Sequence, residues 1–183
     1  LPGMTVINPC DFNQTKAATK AISMINGPVY LRFGRPKVPN FTSDSIDFQI
    51  GKGIKLVEGN DVTIIATGHL VWEALEAEKE LSKIGISAEV INIHTIKPLD
   101  EDIVLKSVNK TKCVVSCEEH NIIGGLGESI SRVLVNNFLC PMEFVGVNDK
   151  FGESGIPSEL MEKYGLNSKN IIEKCKKVIS RKS

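Results

Sequence analysis

Two short stretches of this chain carry side chains suited to chemistry. The first is Pro28-Val-Tyr-Leu-Arg-Phe-Gly-Arg-Pro-Lys-Val-Pro39. It reads as a short buried strand, Val29 to Phe33, that ends in Gly34-Arg35-Pro36. Gly34 allows a tight backbone turn, while Pro36 stops the strand and fixes its exit direction. Arg35 is thereby presented at the carboxyl end of a strand, where open α/β sheets place their ligand sites. A guanidinium there suits a phosphate or a carboxylate, which it grips with two parallel N–H donors. The competing role is a salt bridge at a strand end, and the residues alone weigh the two evenly. Arg32, earlier on the same strand, reads as a structural ion-pair partner.

The second stretch is Glu118-Glu-His-Asn-Ile-Ile-Gly-Gly-Leu-Gly-Glu128, placed after a strand and opening a helix. Its glycines are similar to the start of a phosphate-cradling loop. The order Gly124-Gly125-Leu126-Gly127 does not match G-x-G-x-x-G, and Glu118, Glu119 and Glu128 would repel a pyrophosphate. Dinucleotide binding is therefore not expected. Gly124 and Gly125 read as a tight turn that lets helix and strand pack closely. Glu118, Glu119 and His120 lie at a strand's carboxyl end, which suits the edge of a substrate channel or a subunit contact, with loop-fixing the plainer duty for His120. The other histidines, His69 at a helix start and His94 at a strand end, stand on different loops with no metal-ligand spacing. No metal site and no catalytic residue is assigned within the chain, and no G-x-S-x-G elbow is present.

Composition narrows the partners. The 183 residues include 22 basic and 22 acidic side chains, without a basic patch, so nucleic acid is not an expected partner. The densest basic cluster, Lys174, Lys176, Lys177, Arg181 and Lys182, falls at the end of a C-terminal helix and reads as a solvated helix end. No apolar run approaches the roughly 20 residues needed to cross a bilayer, so no membrane partner is expected. Five cysteines form no C-x-x-C pair and are odd in number, the usage of reduced thiols in a cytoplasmic protein. The N-terminus lacks the charged and apolar regions of a signal peptide and does not begin with Met. A start inside a longer sequence is expected.

The elements that must position these residues fall into two units. Residues 1–38 read strand–helix–strand, with Asp11 as N-cap, Gln14 at capping-box spacing, and a helix to about Ile25. A lone βαβ unit cannot cover both faces of a parallel sheet, so this unit is expected to be the end of a larger domain. Residues 39–53 read as a polar linker. From 54 to 183, strands alternate with helices: strands near 54–57, 62–66, 87–93, 112–117 and 142–147, and helices near 70–84, 100–109, 125–138, 158–164 and 168–180. Gly85 reads as a helix terminator, and Asp100 and Ser158 as N-caps. This alternation predicts a three-layer α/β domain around a mostly parallel five-stranded sheet. Only a four-residue turn joins 54–57 to 62–66, a hairpin-length connection, so 54–57 is expected as an antiparallel edge strand.

Taken in order, these pieces resemble the C-terminal part of transketolase and its thiamine-diphosphate-dependent relatives. The pieces are Pro9-Cys-Asp-Phe-Asn-Gln14, Gly27-Pro-Val-Tyr-Leu-Arg-Phe-Gly-Arg35, Val62-Thr-Ile-Ile-Ala-Thr-Gly68, Thr95-Ile-Lys-Pro-Leu-Asp100, Glu118-Glu-His120 with Gly124-Gly-Leu-Gly127, and Gly152-Glu-Ser-Gly155 with Tyr164-Gly-Leu166. Each is weak alone; their order and spacing are specific. The resemblance implies that residues 1–38 end the pyrimidine-binding domain and that 54–183 form the transketolase C-terminal domain. It also implies thiamine diphosphate and a divalent metal (Mg) in the complete enzyme. The glutamate and aromatic that serve the cofactor would lie earlier, and another domain would hold the diphosphate. None of these is expected to bind to this chain alone. By resemblance, Arg35 is similar to the arginine that grips the sugar phosphate. Gly34-Arg35-Pro36 departs from the serine–arginine–glutamine run of full-length transketolases and is more similar to split transketolases.

The function implied is transfer of a two-carbon ketol unit between phosphorylated sugars, by a homodimeric complete enzyme that includes an N-terminal section or subunit. The chain alone is expected to be inert. The alternative is a non-catalytic dimerisation or interaction module, from deoxyxylulose-phosphate synthase or the beta subunit of a 2-oxoacid dehydrogenase. The arginine favours a phosphorylated substrate over the dehydrogenase.

Overall fold

The structure is a computed structural model that describes residues 1–182. The chain opens with β1 (Thr5–Ile7), α1 (Phe12–Ile22) and β2 (Val29–Leu31). β1 and β2 pair in parallel, with Thr5 opposite Val29, as a βαβ unit requires. Asp11 caps α1: its Oδ1 accepts from the Gln14 amide at 2.9 Å. The Gln14 side chain reaches back to the Cys10 amide at 2.9 Å, one residue further out than the capping box expects. Asp11 also accepts from the Phe41 and Thr42 amides and the Thr42 hydroxyl, so the start of the polar linker is pinned to the helix. The helix stops three residues short of Ile25, which is exposed.

The second unit contains β3 (Ile54–Val57), β4 (Val62–Ala66), α2 (Leu70–Lys83), β5 (Ala88–Asn92), β6 (Thr95–Lys97), α3 (Glu101–Thr111), β7 (Val114–Asn121), α4 (Leu126–Asn137), β8 (Met142–Val147), α5 (Pro157–Lys163) and α6 (Ser168–Ile179). Its sheet runs β3-β5-β4-β7-β8 and is parallel except at β3. Every residue of β4 and β5 is buried, because helices cover both faces. Ile64 joins Leu81 of α2 and Ile171 of α6 in one core, while its neighbour Ile65 joins Val108 of α3 and Ile130 of α4 in the other. That alternation is the period of two that a pleated strand imposes. Burial of each such side chain contributes about 1.5–3 kcal/mol. The expected three-layer architecture, with one antiparallel edge strand, is the one observed.

Several details depart from expectation. β3 is antiparallel and at the edge, but it pairs with β5, not with the β4 that follows it. The turn after β3 passes over the start of β5, where the Asn60 and Asp61 amides both donate to the Ser87 carbonyl. β6 is a strand that the sequence pattern does not announce; it leaves the main sheet and pairs antiparallel with β1, giving a second sheet β2-β1-β6 that joins the two units. β7 runs on to Asn121 because β8 accompanies it past a register shift. Glu118, Glu119 and His120 thus belong to the strand end and not to the loop after it. Ser158 is not an N-cap: Ile156 holds that place and Pro157 occupies the first turn, where its missing N–H costs nothing.

The basic C-terminus is also more than a solvated helix end. Glu143 on β8, 6% exposed, accepts from Lys174, Lys177 and Arg181 at 3.1, 3.1 and 2.6 Å. Burial pushes its carboxyl up, but the bonds from Lys177 and Lys174 outweigh this and hold it below its ordinary value of 4.5. A carboxylate with a lowered value stabilises the fold above that ordinary value and loses the contribution as pH falls through the lowered one. Wild type should therefore exceed Glu143→Gln by about 1–2 kcal/mol near neutral pH. Urea unfolding at a series of pH values should show the gap closing in acid; a gap that persists there would contradict this account.

Candidate functional site

β2 ends at Leu31, and the chain then crosses the carboxyl end of β7. The Arg32 guanidinium donates to the Glu119 carbonyl at 2.6 Å. The ion pair expected for Arg32 is thus replaced by a bond that ties the exit of β2 to β7. Three residues on, Arg35 is exposed and has no hydrogen bond or ion pair among the described residues. Gly34 and Pro36, which flank it, line a cleft of about 560 Å³ shared with Cys10, Phe12 and His69. The cleft lies at the carboxyl ends of β1 and β2, beside the start of α1, where an open α/β sheet receives ligands.

The Glu118–Gly125 residues divide between two sides, because successive side chains of a strand point oppositely. Glu118, His120, Gly124 and Gly125 line a cavity of about 580 Å³ with Asn8, Thr67 and Arg32. Glu119 points the other way and lines a smaller cleft with His69 and Pro36. Glu118 is buried and caps α4: its two carboxylate oxygens accept from the Leu126 and Gly127 amides at 2.8 and 2.9 Å. Burial pushes its carboxyl up, and those two amides pull it back in part. Gly125 leaves room for the Glu118 carboxylate, which a Cβ there would displace from its place over the α4 amides. His120 is exposed, and its Nδ1 approaches the Asn121 carbonyl at 2.8 Å, a loop-fixing contact.

His69 reads from the sequence only as a helix opener, yet it sits beneath the Arg35 loop with its Nδ1 4.0 Å from Glu119 Oε2. Its signal is the strand–glycine–helix junction Ala66-Thr-Gly-His69, which places it at a strand's carboxyl end. His94, by contrast, is structural. It is buried, its Nδ1 lies 3.0 Å from the Thr95 hydroxyl, and its ring packs on Phe48 at 4.1 Å. Burial lowers its pKa to about 4, so it stays neutral at physiological pH.

Two helix starts beside the site, those of α1 and α4, do not fit a diphosphate, whereas the start of α2 at His69 has no side-chain cap. Asp11 answers the amides opening α1 and Glu118 those opening α4, so a carboxylate already fills each anion seat. Among the described residues no three His, Cys, Asp or Glu side chains converge as metal ligands. Arg35 stands exposed on an open loop, where a guanidinium has the geometry to grip an anion.

A family model for the transketolase C-terminal domain matches residues 51–171. The chain is 46% identical over 183 residues to the 6-deoxy-6-sulfo-D-fructose transketolase subunit SqwH of Clostridium sp. (strain MSTE9), covering 100% of this chain and 57% of that one. It is 36% identical over 171 residues to an apulose-4-phosphate transketolase subunit of Phocaeicola vulgatus, covering 93% and 54% respectively. Among solved structures, a split gene transketolase described as an inactive beta4 tetramer superposes with a TM-score of 0.97 at 44% identity, over 100% of this chain and 60% of that one. The chain thus spans little more than half the length of the curated relatives it matches. With that match over most of its second unit, the chain belongs to the transketolase C-terminal domain family.

Proposed function

We propose that this chain is the C-terminal portion of a thiamine-diphosphate-dependent transketolase, which transfers a two-carbon ketol unit between sugars bearing a terminal anion. The observation that carries the reading is Arg35, an unpaired guanidinium at the carboxyl end of β2 beside a cleft. Its role is to orient: it holds the substrate's distal anion while the reacting carbons are placed elsewhere. Phosphorylated sugars are the expected class. One relative is named for a sulfo-sugar and another for a phosphate ester. Both groups are tetrahedral anions that a guanidinium grips alike.

On this reading an N-terminal section or subunit holds thiamine diphosphate and Mg, and the assembled enzyme is a cytoplasmic homodimer. The occupied helix N-termini support placing the cofactor outside this chain. A solved relative described as an inactive tetramer supports the expectation that this chain alone is inert.

The test reconstitutes the chain with its N-terminal partner, thiamine diphosphate and Mg. Arg35→Ala should raise KM for a phosphorylated acceptor roughly 10- to 100-fold, the worth of a charge-assisted hydrogen bond. KM for uncharged glycolaldehyde should not move. An unchanged KM for the phosphorylated acceptor would sink the role, and tight binding of thiamine diphosphate to the isolated chain would refute the division of labour.

A further inference from the structure

Three clefts meet beneath the Arg35 loop, and His69 and Pro36 line all of them. His69 rises from the end of β4 and Glu119 from the end of β7, two strands that run side by side in parallel. Both are partly exposed, at 18% and 35%, and the His69 Nδ1 to Glu119 Oε2 distance is 4.0 Å. Glu119 also carries the loop: its carbonyl accepts from Arg32 at 2.6 Å, and a Cβ built on Gly34 would stand 4.0 Å from its carboxylate.

Most other charged groups around His69 are already engaged. Glu73 on its own helix accepts from the Ser168 amide, and Asp11 is filled by the linker and by α1. Glu162 pairs with Lys169, and Glu153 with Lys163. Lys37, on the loop itself, lines two of the clefts without an ion pair among the described residues. Arg32 spends its hydrogen bond on the Glu119 carbonyl, and its charge does not vary with pH. Among the described residues the Glu119 carboxylate therefore has one cationic partner within ion-pair reach, His69, and that partner is ionisable.

We propose that Glu119 and His69 are positioning residues for the Arg35 loop, and that the charge on this pair sets how well the loop receives an anionic sugar. The inference rests on the reading of Arg35 given above. With His69 protonated, the carboxylate under the loop is compensated. With His69 neutral, one negative charge is left beneath Gly34, where it opposes an incoming anion. KM for an anionic sugar is then higher with His69 neutral than with His69 protonated.

The experiment measures KM for ribose 5-phosphate with the complete reconstituted enzyme from about pH 5.5 to about pH 8.5, in wild type, His69→Gln and Glu119→Gln. The substrate's own phosphate ionisation falls in this range and contributes equally to all three proteins. His69→Gln should raise KM about two- to fivefold at the acid end and match wild type at the alkaline end. Glu119→Gln removes the negative charge at every pH, so it should lower KM about two- to fivefold at the alkaline end and hold it below wild type at the acid end, where His69 is then uncompensated. KM for glycolaldehyde should be unaffected in both. Two variants that track the wild-type profile, or equal shifts with glycolaldehyde, would overturn the proposal. Arg35→Ala run in the same assay separates the failures. If it leaves KM unchanged, the anion-site reading fails; if it raises KM while the other two variants track wild type, only the pair fails.

Discussion

Gly59→Ala is expected to destabilise the protein by about 3 kcal/mol or more, at the upper end for overpacking a close-packed site. A Cβ at this position would lie 2.1 Å from the Ala88 carbonyl carbon, 2.2 Å from the Glu89 nitrogen and 2.5 Å from the Ala88 oxygen. All three are main-chain atoms, so no rotamer change can relieve the clash. The turn cannot lift away either. The Asn60 and Asp61 amides donate to the Ser87 carbonyl at 3.0 and 2.8 Å, and the Ser87 amide donates back to Asp61 Oδ2 at 2.7 Å. Moving the turn by an ångström would strip β3 from β5. A urea titration should show a much lower midpoint, with Gly152→Ala as control, since nothing lies within 4 Å of that glycine. A loss below about 1 kcal/mol would mean that the turn is not seated against β5.

Glu118→Ala should cost a similar amount, about 3 kcal/mol, by a different route. The substitution leaves the Leu126 and Gly127 amides without acceptors at a buried helix start, and opens space where the carboxylate stood. Glu118→Gln should be milder, because one side-chain oxygen can still accept and no charge is buried. The comparison with glutamine has a pH signature. Burial raises the Glu118 carboxyl above its ordinary 4.5, so its contribution is fully present below that value and is lost as pH rises through the raised one. Wild type should therefore gain on Glu118→Gln as the solution is acidified. Unfolding curves for both proteins at neutral and mildly acidic pH check this; a pH-independent difference would place the carboxylate in water.

Features that one turn of chain decides were legible in the residues. Asp11 and Asp100 cap helices and Gly85 ends one in a left-handed conformation, because each acts within four residues of itself. The layered α/β class was legible too, since strand and helix periods alternate cleanly along residues 62–147. What escaped depends on pairings between distant segments. A four-residue connection after β3 implies a hairpin until one knows that β5 slides between the two strands. Thr95–Lys97 is too short to announce itself as a strand, and only β1 gives it a partner. At the site, the carboxylates of the glycine-rich loop argued against a pyrophosphate there. That Glu118 itself occupies the anion seat became visible only with the β7–α4 corner in place. Arg35 could be read from its strand end. His69 could not, because its relation to Glu119 exists only when β4 and β7 lie side by side.

The antiparallel pairing of β1 with β6 has a consequence for biosynthesis. Thr5 and Thr95 are about ninety residues apart, so β1 emerges from the ribosome long before the strand that completes its sheet. At about 5–20 residues per second the wait is on the order of 5–20 s. Throughout it, the edge of β1 that β6 covers still lacks that partner. Synonymous codon changes that slow translation between β2 and β6 should lower the soluble yield without altering a single residue.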